Sequence, residues 1–105
     1  AGARHGQHRN HLGLGDDGHT ASLFSGDPLL EEQACDVGVS GPRSGARRLT
    51  LTLPALDRAR SIVWLVLGAG RKEAVAQLFA ADRAIAASRV ARARATAFTD
   101  PAAAP

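Results

Sequence analysis

The chain has 105 residues, which is enough for one small domain and too few for two. Hydrophobic residues make up 45% and charged residues 22%, a composition that is not typical of a disordered protein. The sequence contains no run of about 18 apolar residues, so a membrane-spanning helix is not predicted. The net charge is +3, but the cations are spread from Arg4 to Arg94 with few aromatic residues, so we predict an anionic small substrate and no nucleic acid.

The N-terminal residues 1–11 are polar and lack the apolar core of a secretory signal. His5, His8 and His11 have the spacing of a metal-binding tract, but no apolar face supports a helix there, so an irregular basic tail is favoured. Cys35 is the single cysteine, so neither an internal disulfide nor a cysteine-rich zinc site is expected. These features predict a cytoplasmic protein.

A glycine-rich segment, GLGDDGHTASLF, follows at residues 13–24. Gly15 and Gly18 permit a tight turn and a close approach of a ligand to the backbone. We predict that Asp17 caps a helical turn that begins at His19. The positive end of such a helix favours a neutral imidazole, which a general base requires. A lone histidine also fits a residue without a catalytic role, and that alternative stays open at this point.

The middle of the chain predicts a series of short elements separated by loops. The alternation in RLTLTL predicts a half-buried strand whose leucines face the core and whose arginine and threonines face solvent. In chain order the predictions are a short helix within 25–34, a short strand at 35–39, a loop at 40–46, a strand at 48–53 with Leu49, Leu51 and Leu53 buried, and a short helix that begins near Pro54.

The C-terminal half is more apolar and has clearer periodicity. The run Ser61–Leu67, SIVWLVL, predicts a central strand buried on both faces of a parallel sheet. Val75, Leu78 and Phe79 have the spacing of a core-facing helical stripe, and residues 90–98 predict one last strand. The alternation of strands and helices predicts an α/β fold.

The turn between this strand and the helix is a second candidate site. Gly68 and Gly70 precede a helix, and Arg71 and Lys72 stand beside them, which suits an anion. A simple strand-to-helix turn with solvated cations explains the same residues. The third glycine of a dinucleotide-binding loop is replaced by Glu73, so a nucleotide site is not predicted.

Several motifs in order carry a family resemblance. GLGDDGHTASLF closely resembles the signature of the 6-phosphogluconolactonases, whose superfamily also contains glucosamine-6-phosphate deaminase. RRLTLTLPALDRAR, SIVWLVLGAGRKEAV and AFTDPAAA are similar to later blocks of the same family, and the likeness covers about residues 12–104. It implies a Rossmann-like layered α/β fold with a mostly parallel sheet, of which residues 12–105 form an incomplete, C-terminal part.

The resemblance also implies an activity: hydrolysis of 6-phospho-D-glucono-1,5-lactone to 6-phosphogluconate in the oxidative pentose phosphate pathway. By this resemblance, His19 is expected to activate the attacking water and Asp17 to hold the imidazole. No metal or organic cofactor is implied, and the partner is a phosphorylated sugar lactone, with no membrane or nucleic acid. The implied substrate-binding residues are Gly15, Gly18, Arg48 and Lys72.

Two alternatives are kept. The deaminase motif has a carboxylate five positions after its histidine, where this chain has Phe24, so a deaminase is less well matched. The other alternative is a non-catalytic fragment, because the Ser-Gly-Gly phosphate loop and the Asp-Glu-Arg segment of the family belong to an N-terminal half that the resemblance does not reach. We therefore expect weak or no hydrolysis by the isolated chain, and self-association through an exposed sheet edge.

Overall fold

A computed structural model describes residues 9–43 and 45–105. No helix within these residues has both the length and the apolar character needed to cross a bilayer. The strands are β1 (Arg9–Leu12), β2 (Val37–Val39), β3 (Leu49–Leu51), β4 (Ser61–Val66) and β5 (Ala95–Thr99). The α-helices are α1 (Leu53–Asp57) and α2 (Lys72–Phe79), and short 3-10 helices span Pro28–Glu31, Ala69–Arg71 and Ala86–Arg89.

The main sheet is parallel and has the order β1-β4-β5. The apolar run thus forms the central strand, as predicted, and the α/β class with a mostly parallel sheet is confirmed. Its two neighbours, β1 and β5, are edge strands in the described part of the chain.

The first strand corrects the position of the predicted tail. Arg9 pairs with Ser61 and Leu12 with Trp64, so residues 9–11, part of the predicted irregular tail, belong to a strand. The Asn10 side-chain amide also donates to the Leu56 carbonyl oxygen at 3.2 Å, which ties this strand to α1. The rest of the predicted tail, including His5 and His8, lies outside the described residues.

Only one face of β4 is fully covered. Ile62, Trp64 and Val66 are buried in the same core cluster as α2, whereas Leu65 is 58% and Leu67 54% exposed. The prediction that this strand is buried on both faces is therefore wrong for the described residues. Parallel strands are usually covered on both faces by their crossover helices, and α2 covers one.

Helix α2 follows its predicted stripe with one exception. Val75 and Leu78 are buried, but Phe79 is 47% exposed, so its predicted place in the core is wrong. Phe79 ends the helix and lies at the edge of the apolar stripe, where it lines a small cavity beside Trp64. An edge position of this kind is only half covered by the sheet.

The strand from RLTLTL forms, but its inner and outer faces are exchanged. Leu49 is 75% and Leu51 43% exposed, while Thr50 and Thr52 are buried. The prediction that these two leucines lie in the core is wrong, and that for Leu53, which begins α1, is confirmed. In the part of the chain that the structure describes, β3 pairs antiparallel with β2, and the valines of β2 are exposed like the leucines of β3.

Hydrogen bonds explain why the threonine face is the inner one. The Thr50 hydroxyl accepts from the Ser22 backbone N–H at 3.1 Å and donates to the Leu51 carbonyl oxygen. The Thr52 hydroxyl donates to the Cys35 carbonyl oxygen at 2.6 Å. Buried polar groups are retained where they find such partners.

The remaining short elements lie close to their predicted places. Asp27 caps the 3-10 helix by accepting from the Leu29 N–H at 2.9 Å, and Pro54 stands in the first turn of α1. The confirmed short elements are the helix at Pro28–Glu31, the strand at Val37–Val39, the helix at Leu53–Asp57 and the last strand at Ala95–Thr99.

Candidate functional site

The segment of residues 13–24 is a compact turn that follows β1, and it is called the site turn below. The Gly15 N–H donates to the His19 carbonyl oxygen at 2.8 Å, and the Gly18 N–H donates to the Gly15 carbonyl oxygen at 2.9 Å. The Thr20 hydroxyl donates back to the Gly13 carbonyl oxygen at 2.8 Å. The turn therefore closes on itself through its own backbone.

The predicted helix at His19 does not form. Thr20 and Leu23 pair through backbone hydrogen bonds of 3.3 and 2.9 Å, and Ala21 between them has a φ of 51°. This left-handed conformation is incompatible with an α-helix that continues from His19. The prediction that His19 stands at a helix N-terminus is wrong, and a helix dipole does not act on its ring.

Asp17 instead fixes His19 directly. Its Oδ1 lies 2.6 Å from His19 Nδ1 and also accepts from the His19 backbone N–H at 3.0 Å. Partial burial raises the pKa of the Asp17 carboxyl, but the hydrogen bonds from the His19 ring and backbone outweigh it and hold that pKa below its usual value. The carboxylate is therefore ionised at neutral pH and accepts the Nδ1 proton, which leaves Nε2 as the basic nitrogen of the neutral ring.

Two glycines make room for this arrangement. A Cβ at Gly15 would lie 2.1 Å from His19 Nδ1, so a side chain there would displace the ring. Gly18 has a φ of +86°, and a Cβ there would lie 2.4 Å from the Ile85 side chain. The predicted role of both glycines in substrate binding stays a prediction: Gly15 lines the cleft described next, and Gly18 is buried behind it.

His19 opens onto a cleft of about 620 Å³ between the site turn and the uncovered face of β4. Arg71 lies in its wall, and its Nε donates to the Leu14 carbonyl oxygen at 3.0 Å. The cleft is lined by Gly13, Leu14, Gly15, His19, Thr20, Ala21, Leu65, Leu67 and Arg71.

The cation in this wall is not one of the two chosen from the sequence. Neither Arg48 nor Lys72 is among the lining residues, and both are exposed. The sequence predicts Arg71 together with Lys72 at a glycine turn that suits an anion, and of these two residues Arg71 lines the cleft. The signal that identifies it is the turn itself, because Arg71 closes the 3-10 turn that directs its side chain to the site turn.

Phe24 is the second residue whose contact the sequence did not reveal. Its ring centroid lies 4.7 Å from that of His19, with 33° between the ring planes. The Arg43 guanidinium carbon lies 4.4 Å from the centroid of the same ring. The sequence signal is an aromatic residue five positions after the histidine, which a turn that folds back can bring into contact.

The arrangement supports hydrolytic chemistry on an anionic substrate. An oriented imidazole can take a proton from water, and an anchored guanidinium can bind phosphate or a developing oxyanion. Residues 9–43 and 45–105 contain no group of three histidine, cysteine or acidic side chains placed to hold a metal ion.

Comparison with known proteins identifies the family of this chain. The family model described as glucosamine-6-phosphate isomerases/6-phosphogluconolactonase matches residues 9–99. A 6-phosphogluconolactonase of a Synechocystis species is 49% identical over 71 residues, which cover 68% of this chain and 29% of that protein. The structure of the 6-phosphogluconolactonase of Trypanosoma brucei superposes with a TM-score of 0.73 at 28% identity, over 90% of this chain and 40% of that one.

A monomeric glucosamine-6-phosphate deaminase has the same fold, with a TM-score of 0.75 at 18% identity over 90% of this chain and 46% of that one. The chain thus spans less than a third of the Synechocystis relative and less than half of either solved structure. The match nevertheless includes every element from β1 to β5. This chain belongs to the glucosamine-6-phosphate isomerase/6-phosphogluconolactonase family.

Proposed function

We propose that this chain supplies the general base of a 6-phosphogluconolactonase, which hydrolyses 6-phospho-D-glucono-1,5-lactone to 6-phosphogluconate. The observation that carries the proposal is the 2.6 Å contact of Asp17 Oδ1 with His19 Nδ1 at the cleft. The Synechocystis and Trypanosoma brucei relatives, which bear this enzyme name, support the choice of substrate.

The reaction follows from the protonation state that Asp17 imposes. Nδ1–H of His19 donates to the carboxylate, so the lone pair on Nε2 takes a proton from water as the water oxygen adds to the lactone carbonyl carbon. The carbonyl oxygen becomes an oxyanion. When this intermediate collapses, the bond from the carbonyl carbon to the ring oxygen breaks, and the imidazolium returns its proton to that oxygen. Asp17 stays ionised throughout and stabilises the imidazolium.

Arg71 is the cation that we assign to the substrate. Because its Nε is held by Leu14, the terminal nitrogens of the guanidinium are directed without further loss of side-chain freedom. They can donate to the phosphate or to the oxyanion. Lys72 begins α2 outside the cleft lining and Arg48 precedes β3, so their predicted roles have less support than that of Arg71.

Phe24 favours a lactonase over a deaminase. In the deaminase motif a carboxylate occupies this position, and here a buried phenyl ring contacts His19 instead. A phenyl group cannot donate a proton to a sugar ring oxygen. The deaminase thus shares the fold with this chain, while the residue next to the base fits simple hydrolysis.

The proposal includes a low rate for the 105-residue chain alone. The chain spans 29% of the Synechocystis relative, and each charge-assisted hydrogen bond to phosphate that is not made costs roughly 1.5–3 kcal/mol of binding. The expected cytoplasmic setting and self-association stay predictions, as does the absence of nucleic acid among its partners.

A lactonase assay at pH 7 on the purified chain tests the proposal, with acid release measured against spontaneous hydrolysis. The wild type should exceed the spontaneous rate in proportion to protein concentration, and His19→Ala should return it to that rate, since a general base contributes about 10²–10⁴-fold. Asp16→Asn is the matched control and should keep the wild-type rate, because Asp16 lies beside Asp17 but does not contact the ring.

Equal rates in the wild type and His19→Ala would contradict the proposal and support the non-catalytic alternative. Product binding gives a second measurement. 6-Phosphogluconate should bind the wild type more tightly than Arg71→Gln, while Lys72→Gln should bind as the wild type does.

A further inference from the structure

The ring of Phe24 contacts the proposed base but takes no part in the reaction described above. It is only 5% exposed, and its centroid lies 4.7 Å from that of His19. The ring planes are tilted by 33°, and the centroid distance lies within the range of favourable aromatic contacts.

His19 needs support beyond its hydrogen bond to Asp17. The histidine lies in a turn, so no helix or strand constrains its side chain, and the ring is 31% exposed. A single hydrogen bond at Nδ1 does not by itself hold the plane of the ring, and a ring that tilts turns its N–H away from the Asp17 carboxylate and weakens that bond. Gly15 has no side chain with which to pack against the ring, and a Cβ there would lie 2.1 Å from Nδ1. The plane of the ring, and with it the direction of Nε2, is set by whatever covers its face.

Arg43 in turn holds Phe24. Its guanidinium carbon lies 4.4 Å from the phenyl centroid, a distance at which a cation is attracted to the ring face. Arg43 and Ala46 exchange backbone hydrogen bonds of 2.8 and 3.0 Å, so the loop that carries the cation is itself closed. Phe24 is therefore held between the turn that bears it and a cation from a distant loop.

We propose that Phe24, held by Arg43, is a positioning residue for His19: it fixes the plane of the imidazole so that Nδ1 meets Asp17 while Nε2 faces the cleft. The consequence for catalysis rests on the proposed lactonase function, but the positioning itself does not. Neither residue contacts the reacting atoms in this arrangement. Both act through His19.

The test combines nuclear magnetic resonance of the His19 ring nitrogens with kinetics. In the wild type and in Phe24→Tyr, which keeps the ring, the nitrogen shifts at pH 8 should show a single tautomer with the proton on Nδ1. In Phe24→Leu they should move toward the average of two tautomers. Phe79→Leu is the matched control, because it removes a phenyl ring at the far end of α2 and should leave the His19 signals unchanged.

In the lactonase assay, Phe24→Leu should lower kcat about tenfold with KM changed less than twofold, because a misdirected base slows chemistry more than binding. Arg43→Gln should change the His19 nitrogen shifts and kcat in the same directions as Phe24→Leu, by smaller amounts. Phe24→Met, which keeps most of the buried volume, replaces the leucine variant if thermal melting shows that the latter is unfolded.

Unchanged His19 nitrogen shifts in a folded Phe24→Leu or Phe24→Met variant would overturn the positioning role. A wild type without lactonase activity, in which these variants still shift the His19 signals as expected, would refute the proposed function and uphold the positioning role. The two proposals therefore fail separately.

Discussion

The site turn and strand β3 carry equally distinctive sequence patterns, yet they are held in different ways. The turn is closed by partners a few residues apart, such as Gly15 with His19 and Asp17 with His19. Strand β3 makes its decisive side-chain contacts with distant parts of the chain, since Thr50 accepts from Ser22. Local patterns therefore specify the first region, whereas the orientation of the second depends on what it packs against.

The two regions meet at the Ser22–Thr50 hydrogen bond. The site turn leaves the Ser22 N–H without a partner of its own, and the buried hydroxyl of Thr50 accepts from it at 3.1 Å. Alternation shows which side chains of β3 share a face, but the unpaired N–H on the turn decides which face is inside. A polar face can be the buried one where a neighbouring element needs an acceptor.

The largest expected effect tests the glycines of the turn. Gly18→Ala should lower the free energy of unfolding by about 3 kcal/mol, because a Cβ combines left-handed strain with overlap on Ile85. Gly26→Ala is the control, with a similar φ of +82° and open space around it, and should cost about 1 kcal/mol. Urea unfolding measures both. Equal decreases in the free energy of unfolding for the two variants would show that overlap with Ile85 does not destabilise Gly18→Ala.

The next effect tests the inner face of β3. Thr50→Val should lower the free energy of unfolding by about 2 kcal/mol, because it leaves the half-buried Ser22 N–H without its acceptor. Thr50→Ser keeps the hydroxyl and should recover most of the loss. Leu49→Thr, on the outer face, should stay within about 0.5 kcal/mol of the wild type. If Leu49→Thr lowers the free energy of unfolding more than Thr50→Val does, the leucine face of β3 is the buried one, and the threonine-inward orientation is wrong.

The smallest effect concerns Asp27, whose carboxylate accepts one hydrogen bond from a near neighbour in the chain and one from a more distant loop. Hydrogen bonds from the Leu29 N–H and then the Gly41 N–H hold the pKa of its carboxyl below the usual 3.8. This stabilisation is complete above that unfolded value and is lost as the pH falls through the lower folded pKa. Asp27→Asn should cost about 1 kcal/mol at pH 7, because the amide oxygen of asparagine can still accept from the Leu29 N–H but its NH2 group cannot accept from the Gly41 N–H.

Chemical denaturation between pH 7 and pH 2 measures this dependence. The difference in free energy of unfolding between the wild type and Asp27→Asn should decrease as the pH falls below 3.8 and the carboxylate becomes protonated. A difference in free energy of unfolding that stays constant across this pH range would show that the charge of Asp27 does not contribute to stability.

Much of the fold follows from short-range patterns. The apolar run of β4, the spacing of Val75 and Leu78, and the proline at the start of α1 each specified an element that the structure contains. The pairing of Asp17 with His19 was also predictable, because two residues of spacing let a carboxylate reach both the ring and the backbone N–H. These features depend on contacts that neighbours in the chain make by themselves.

The tertiary structure decided which distant residues each segment contacts. His19 follows a turn instead of a helix because Thr20 and Leu23 pair across Ala21, and Arg9 joins a strand because β4 offers a free backbone edge. Arg71, Phe24 and the threonines of β3 acquired their roles from partners distant in sequence or from a fold-back of the turn. The sequence by itself determined most of the later elements and the contact between Asp17 and His19. Packing determined which face of each element is buried, because burial depends on the surface that a neighbouring element presents.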